Sequence, residues 1–114
     1  MCIRDRHLLV TELRTMAADD LWMSPASGRE SLAIHFTFTN DQAAVEGLCP
    51  RIEAALEPFS PRPHWGKVNT MPKALVASRY PRFADFRALV QRTDPEGKFL
   101  GPSTAALLGA EVPA

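Results

Sequence analysis

The order of patterns along the chain predicts an α+β fold: a small, mostly antiparallel sheet covered by helices, then a helical C-terminal segment. Three observations carry this. Residues 7–16 and 31–39 have strand composition, an apolar three-and-four repeat runs from Ala44 to Phe59, and beyond residue 68 the apolar residues recur at helical spacing between prolines. Two strands do not make a stable sheet by themselves, so the chain reads as incomplete.

In the first strand Leu8, Val10 and Leu13 stand among Thr11 and Thr15, and alternation puts Glu12 and Arg14 on one face with Leu8 and Val10. Charged and aliphatic residues on one face conflict. On a free-standing strand the two charges would be an exposed pair, and on a strand lining a cleft they would be a ligand clamp. Residues 17–30 form a turn-rich connection with Asp19-Asp20, Trp22, Ser24-Pro25 and Gly28, long enough to be a functional loop. The second strand alternates cleanly. Leu32, Ile34, Phe36 and Phe38 share one face, and Ser31, Ala33, His35, Thr37 and Thr39 share the other.

A helix follows, with Thr39 and Gln42 in capping-box spacing and a stripe of Ala44, Val45, Leu48, Ile52, Ala55, Leu56 and Phe59. Pro50 falls inside the stripe, where it removes a backbone donor and is expected to kink or divide the helix near Cys49. Cys49 itself reads as a small core residue. Pro72 to Arg79 is a short helix candidate; Pro81 opens another, with Phe83, Phe86, Leu89 and Val90 on one stripe, closed by Asp94-Pro95-Glu96-Gly97. From Gly101 onward the chain reads as a loosely held tail.

The 114 residues, 46% of them hydrophobic, can bury one modest core. Charges balance at 13 basic and 13 acidic, which gives no electrostatic support for a nucleic-acid or anionic-membrane partner. No apolar run approaches the roughly 20 residues that span a bilayer, and the first residues lack the apolar core of a signal peptide. The two cysteines, Cys2 and Cys49, argue against a disulfide framework or metal site, and a reducing, cytoplasmic setting fits best. Residues 1–6, Met1-Cys2-Ile3-Arg4-Asp5-Arg6, resemble a translated adapter; they are read as a non-native leader, with the natural chain extending upstream.

One stretch gathers imidazole, indole and ammonium groups: Arg62-Pro63-His64-Trp65-Gly66-Lys67. Pro61 and Pro63 stiffen the approach, and Gly66 allows close passage at Lys67. By itself a Trp beside a His reads first as a packing pair.

With Glu12-Leu13-Arg14, His35-Phe36-Thr37 and His64-Trp65-Gly66-Lys67 in this order, the chain resembles the C-terminal end of the FAD-dependent alditol oxidases. These are vanillyl-alcohol-oxidase-type flavoproteins related to the D-arabinono- and L-gulono-1,4-lactone oxidases. The resemblance runs from about Leu9 to Gly109 and includes Ala17 to Trp22, Ser24-Pro25-Ala26, Tyr80-Pro81-Arg82-Phe83 and Asp94 to Phe99. It implies a two-domain enzyme whose N-terminal half binds FAD and whose cap domain supplies most of the substrate pocket. Nothing in this chain corresponds to a Gly-rich phosphate loop or to the flavin-linked histidine, so the chain alone is expected not to turn over.

The resemblance further implies that Glu12 and Arg14 hold the hydroxyls of a polyol, with Arg14 near the carbon oxidised. His35 and Thr37 complete the hydroxyl contacts, and Lys67 stands beside the flavin. His64 is divided between flavin-edge contact and structure, and Trp65 is assigned to packing. Cations beside the reacting oxygen suit developing alkoxide charge, and a carboxylate suits paired hydroxyls. Residues 7–67 are then part of the substrate-binding cap domain and 68–114 a C-terminal helical segment. The implied partners are a small polyol or sugar lactone and dioxygen. Two alternatives stay open: a sugar-1,4-lactone oxidase fragment, and a non-catalytic polyol-binding module.

Overall fold

The computed structural model describes residues 7–109. Strand β1 (Leu8–Met16) pairs antiparallel with β2 (Ser31–Phe38) as a two-stranded sheet. Helices α1 (Gln42–Leu56), α2 (Lys73–Ser78), α3 (Phe83–Thr93) and α4 (Pro102–Leu108) follow, with a 3₁₀ turn at Glu57–Phe59 directly after α1. The class is α+β.

The register runs from Leu8 opposite Phe38 to Met16 opposite Ser31, with Glu12 opposite His35 and Arg14 opposite Ala33. A bulge between Leu8 and Val10 inserts one extra residue there. Directly opposed residues share a face, so the bulge moves Leu8 over to the side of Phe38 and away from Glu12 and Arg14. Strict alternation had placed Leu8 with the charges. Cover of the sheet is partial: Leu13 and Leu32, on its apolar face, stay 64% and 55% exposed.

Helix α1 departs from expectation in two ways. Its N-cap is Asp41, whose carboxylate accepts from the Ala44 N–H at 3.1 Å. Thr39 is engaged elsewhere, its N–H on the His7 carbonyl at 2.8 Å and its hydroxyl 3.1 Å from His7 Nδ1, so the sheet end claims it. Gln42 reaches forward to Glu46 at 2.7 Å instead of back to the cap. In addition, of the two outcomes expected at Pro50, division does not occur: the helix continues through it. Pro50 and Glu46 are both exposed, so the carbonyl that loses its donor does so on the solvent side.

The main core lies in the C-terminal half. Met71, Val76, Tyr80 and Leu107 are buried together, with Met23, Trp65 and Phe83 packed against them. The region from Gly101 is not a loose tail as far as it is described. Pro102 starts α4, Gly109 closes it in the left-handed conformation, and Ala105, Leu107 and Leu108 are buried. Leu107 is the residue that seats it in the core, where it meets Val76 of α2. The Cα radius of gyration, 15.8 Å, exceeds the roughly 13 Å of a compact chain of this length, in keeping with an open hairpin beside a small helical core.

Candidate active site

The strand register brings three of the six candidate residues into contact. Glu12 and Arg14 are two residues apart on β1, and His35 sits opposite Glu12 on β2. Glu12 Oε2 accepts from Arg14 Nη2 at 2.6 Å and lies 3.5 Å from His35 Nδ1. The neighbouring imidazole, and after it the Arg14 charge, holds the Glu12 carboxyl below its ordinary range. Thr37, opposite Val10, continues the same face.

This face is open. The side chains of Arg14, His35 and Glu12 are 71%, 47% and 43% exposed. Ion pairs so exposed contribute little to folding, so the cluster is poorly explained as a stabilising device. A carboxylate flanked by guanidinium and imidazole instead offers several hydrogen-bonding sites, aimed one way from a stiff ladder, to a solute with adjacent hydroxyls.

The second group is built on a turn. The Lys67 N–H closes onto the His64 carbonyl at 3.1 Å, and the Gly66 N–H donates to His64 Nδ1 at 3.0 Å. With Nδ1 accepting, the ring proton sits on Nε2. The close passage at Gly66 is against this same ring, since a Cβ there would lie 3.4 Å from His64 Cε1. Trp65 points the other way, edge-on to Tyr80 and Phe86 with ring centroids 6.1 Å away in each case. Packing is therefore its role, as expected. His64 and Lys67 are exposed. Among the described residues neither is hydrogen-bonded or ion-paired to Glu12, Arg14, His35 or Thr37.

Arg62 links the two groups, a role the sequence did not disclose. Its Nε donates to the Arg79 carbonyl at 2.9 Å, and its Nη1 reaches the carbonyls of Ser27 at 2.8 Å and Pro25 at 3.1 Å. The guanidinium also lies over the Tyr80 ring, 4.9 Å from its centroid. One side chain thus clamps the β1–β2 connection to the segment that leads into the Lys67 turn. Arg29 adds a second tie, from that connection to the Ser60 carbonyl at 2.7 Å. The usable signal was an arginine between two prolines, since a stiff backbone lets a fork of donors meet fixed carbonyls.

A family model described as ALO, D-arabinono-1,4-lactone oxidase, matches residues 7–106. The chain belongs to that family. Within the D-arabinono-1,4-lactone oxidase family and its relatives it is 51% identical over 92 residues to an alditol oxidase of Streptomyces sp., a match covering 81% of this chain and 22% of that protein. It is 33% identical over 100 residues to an L-gulono-1,4-lactone dehydrogenase of Mycobacterium tuberculosis, covering 86% and 23%. With the L-gulonolactone oxidase of Bos taurus the identity is 27% over 95 residues, covering 78% and 21%. The chain therefore spans less than a quarter of the length of these relatives. No helix among the described residues is long and apolar enough to cross a membrane.

Proposed function

We propose that this chain is the substrate-side, C-terminal portion of an FAD-dependent oxidase that converts an alditol such as xylitol or sorbitol to an aldose, with dioxygen reduced to hydrogen peroxide. The observation that carries it is the Glu12, Arg14 and His35 cluster, held open on one strand face in a chain 51% identical to an alditol oxidase. Residues 7–67 form part of the substrate-binding cap domain and residues 68–114 a C-terminal helical segment, and the setting is cytoplasmic.

Oxidation of a CH–OH group removes a hydride from carbon and a proton from oxygen. FAD, when bound, supplies the hydride acceptor. The residues present fit an edge contact with that group and no more: Lys67 is an exposed cation on a closed turn, His64 keeps its Nε2–H free of the turn, and the left-handed glycines Gly28, Gly97 and Gly109 stand singly. Cofactor binding by this chain thus falls to His64 and Lys67. On the substrate, Glu12 accepts from two hydroxyls while His35 and Thr37 bind the next ones. Arg14 and Lys67 are the cations that favour alkoxide character on the oxygen losing its proton.

The test joins this chain to a flavin-binding portion, its own or that of the Streptomyces relative. Xylitol or sorbitol should bleach the flavin without oxygen and produce peroxide with it. Bleaching by an aldono-1,4-lactone alone selects the second reading, a lactone-oxidising enzyme, which the match to the L-gulono-1,4-lactone dehydrogenase favours. Polyol binding with no bleaching selects a non-catalytic module.

A further inference from the structure

A cavity of about 70 Å³ lies behind the Lys67 turn, lined by Trp65 and Asn69 on the turn side, Lys73 and Val76 on α2, and Ser103 and Thr104 on α4. Two buried polar atoms of its lining residues, Trp65 Nε1 and Asn69 Oδ1, have no protein partner. One is a donor and the other an acceptor. Buried polar atoms of native proteins are rarely left unpaired, and a space of about 10–15 Å³ already holds a water. The other end of the Asn69 amide is occupied, its Nδ2 donating to the Lys67 carbonyl at 3.1 Å.

We propose that this cavity is a hydroxyl-binding site: a hydroxyl oxygen accepts from Trp65 Nε1–H and donates to Asn69 Oδ1, and so couples the Lys67 turn to α4. The Lys73 ammonium in the lining would attract a carboxylate or phosphate, but such an oxygen pairs only with Trp65 and leaves Asn69 Oδ1 without the donor it needs. A hydroxyl serves both, and the Ser103 and Thr104 side chains offer further partners. Trp65 is held by its edge contacts with Tyr80 and Phe86, so the indole N–H is a fixed post, and Asn69 transmits its position to the carbonyl of Lys67. Asn69 is thus a positioning residue for Lys67. Its bearing on catalysis rests on the function proposed above; the hydroxyl site itself does not. Water and a small polyol both supply the required group.

The experiment uses the 114-residue chain labelled with ¹⁵N. The Trp65 indole N–H, assigned by its loss in Trp65→Phe, should show the cross-relaxation of a long-lived bound hydroxyl. Glycerol is then titrated. A saturable shift of the Trp65 indole with loss of the water signal assigns the site to a polyol, and a retained water signal assigns it to water. Asn69→Leu should abolish the Trp65 signal and speed exchange of the Lys67 amide about tenfold, as expected when a hydrogen bond ordering the turn is lost. Asn69→Asp, which keeps an acceptor for the hydroxyl, should retain the Trp65 signal while the turn loosens. No bound hydroxyl at Trp65 in the unmodified chain, with or without glycerol, overturns the site. Unchanged Lys67 exchange in a folded Asn69→Leu overturns the coupling. Should Asn69→Leu unfold, shown by loss of dispersion at the Trp22 indole as well, the unmodified chain decides the site and Asn69→Asp decides the coupling, unchanged Lys67 exchange there overturning it. Failure of polyol oxidation in the flavin-joined protein would leave these signals intact, so the two readings fail separately.

Discussion

Replacing Arg62 by alanine removes a side chain that holds three separate pieces of chain. Three of its hydrogen bonds fall within 3.1 Å, to the carbonyls of Arg79, Pro25 and Ser27, and its guanidinium covers Tyr80. A hydrogen bond to a charged group contributes about 1.5–3 kcal/mol, and the partly exposed setting favours the lower end. Three such bonds and a cation–π contact of about 0.5–1 kcal/mol are offset by about 2 kcal/mol of side-chain entropy. The net loss expected for Arg62→Ala is therefore about 3 kcal/mol. For a domain of this size that lowers the melting temperature by roughly 10–20 °C. Urea unfolding should show a lower midpoint with little change of slope, which separates lost stability from a change in the unfolded state. Arg62→Lys should recover only part of it, because one ammonium cannot face carbonyls of residues 25, 27 and 79 at once. A loss below about 0.5 kcal/mol, the range of an ordinary surface change, would refute the clamp.

Three further outcomes are expected. By carboxyl NMR, Glu12 should titrate below the ordinary glutamate range, and His35→Ala and Arg14→Ala should each raise its midpoint, since the imidazole and then the guanidinium hold it down. Because the folded carboxyl is the stronger acid, the pairing is present above the ordinary range and is lost as pH falls through the lowered value. In the flavin-joined protein Lys67→Ala should slow flavin reduction by about 10²–10³-fold, the usual effect of removing one positioned charge stabiliser, and an unchanged rate removes Lys67 from the site. At the start of α1, Asp41→Ala should cost about 1 kcal/mol of unfolding free energy and Gln42→Ala much less, an order that reverses if Gln42 closes the cap.

The strands were legible because alternation and β-branched content are local, and Glu12 and Arg14 share a face by a period of two, whereas His35 joins that face only through the register between the strands. The bulge at Leu8/Val10 was not legible, because an extra residue in a ladder is a property of two strands together. The cap of α1 was misread for a similar reason. Thr39 and Asp41 are both good caps, and the choice fell to Asp41 once His7, distant in sequence, had engaged Thr39. Pro50 carries a local penalty that the rest of a long helix overrides when the lost bond is on the solvent side.

What the sequence determined by itself was the class of fold, the polar strand face and the chemistry-bearing turn, all set by side-chain type and short-range period. What the tertiary structure alone decided was which of those pieces meet. Arg62 clamping the β1–β2 connection, Trp65 lodged edge-on between Tyr80 and Phe86, and α4 seated in the core through Leu107 each join residues far apart in the chain. Such contacts depend on how rigid elements close against one another, and no local pattern encodes that.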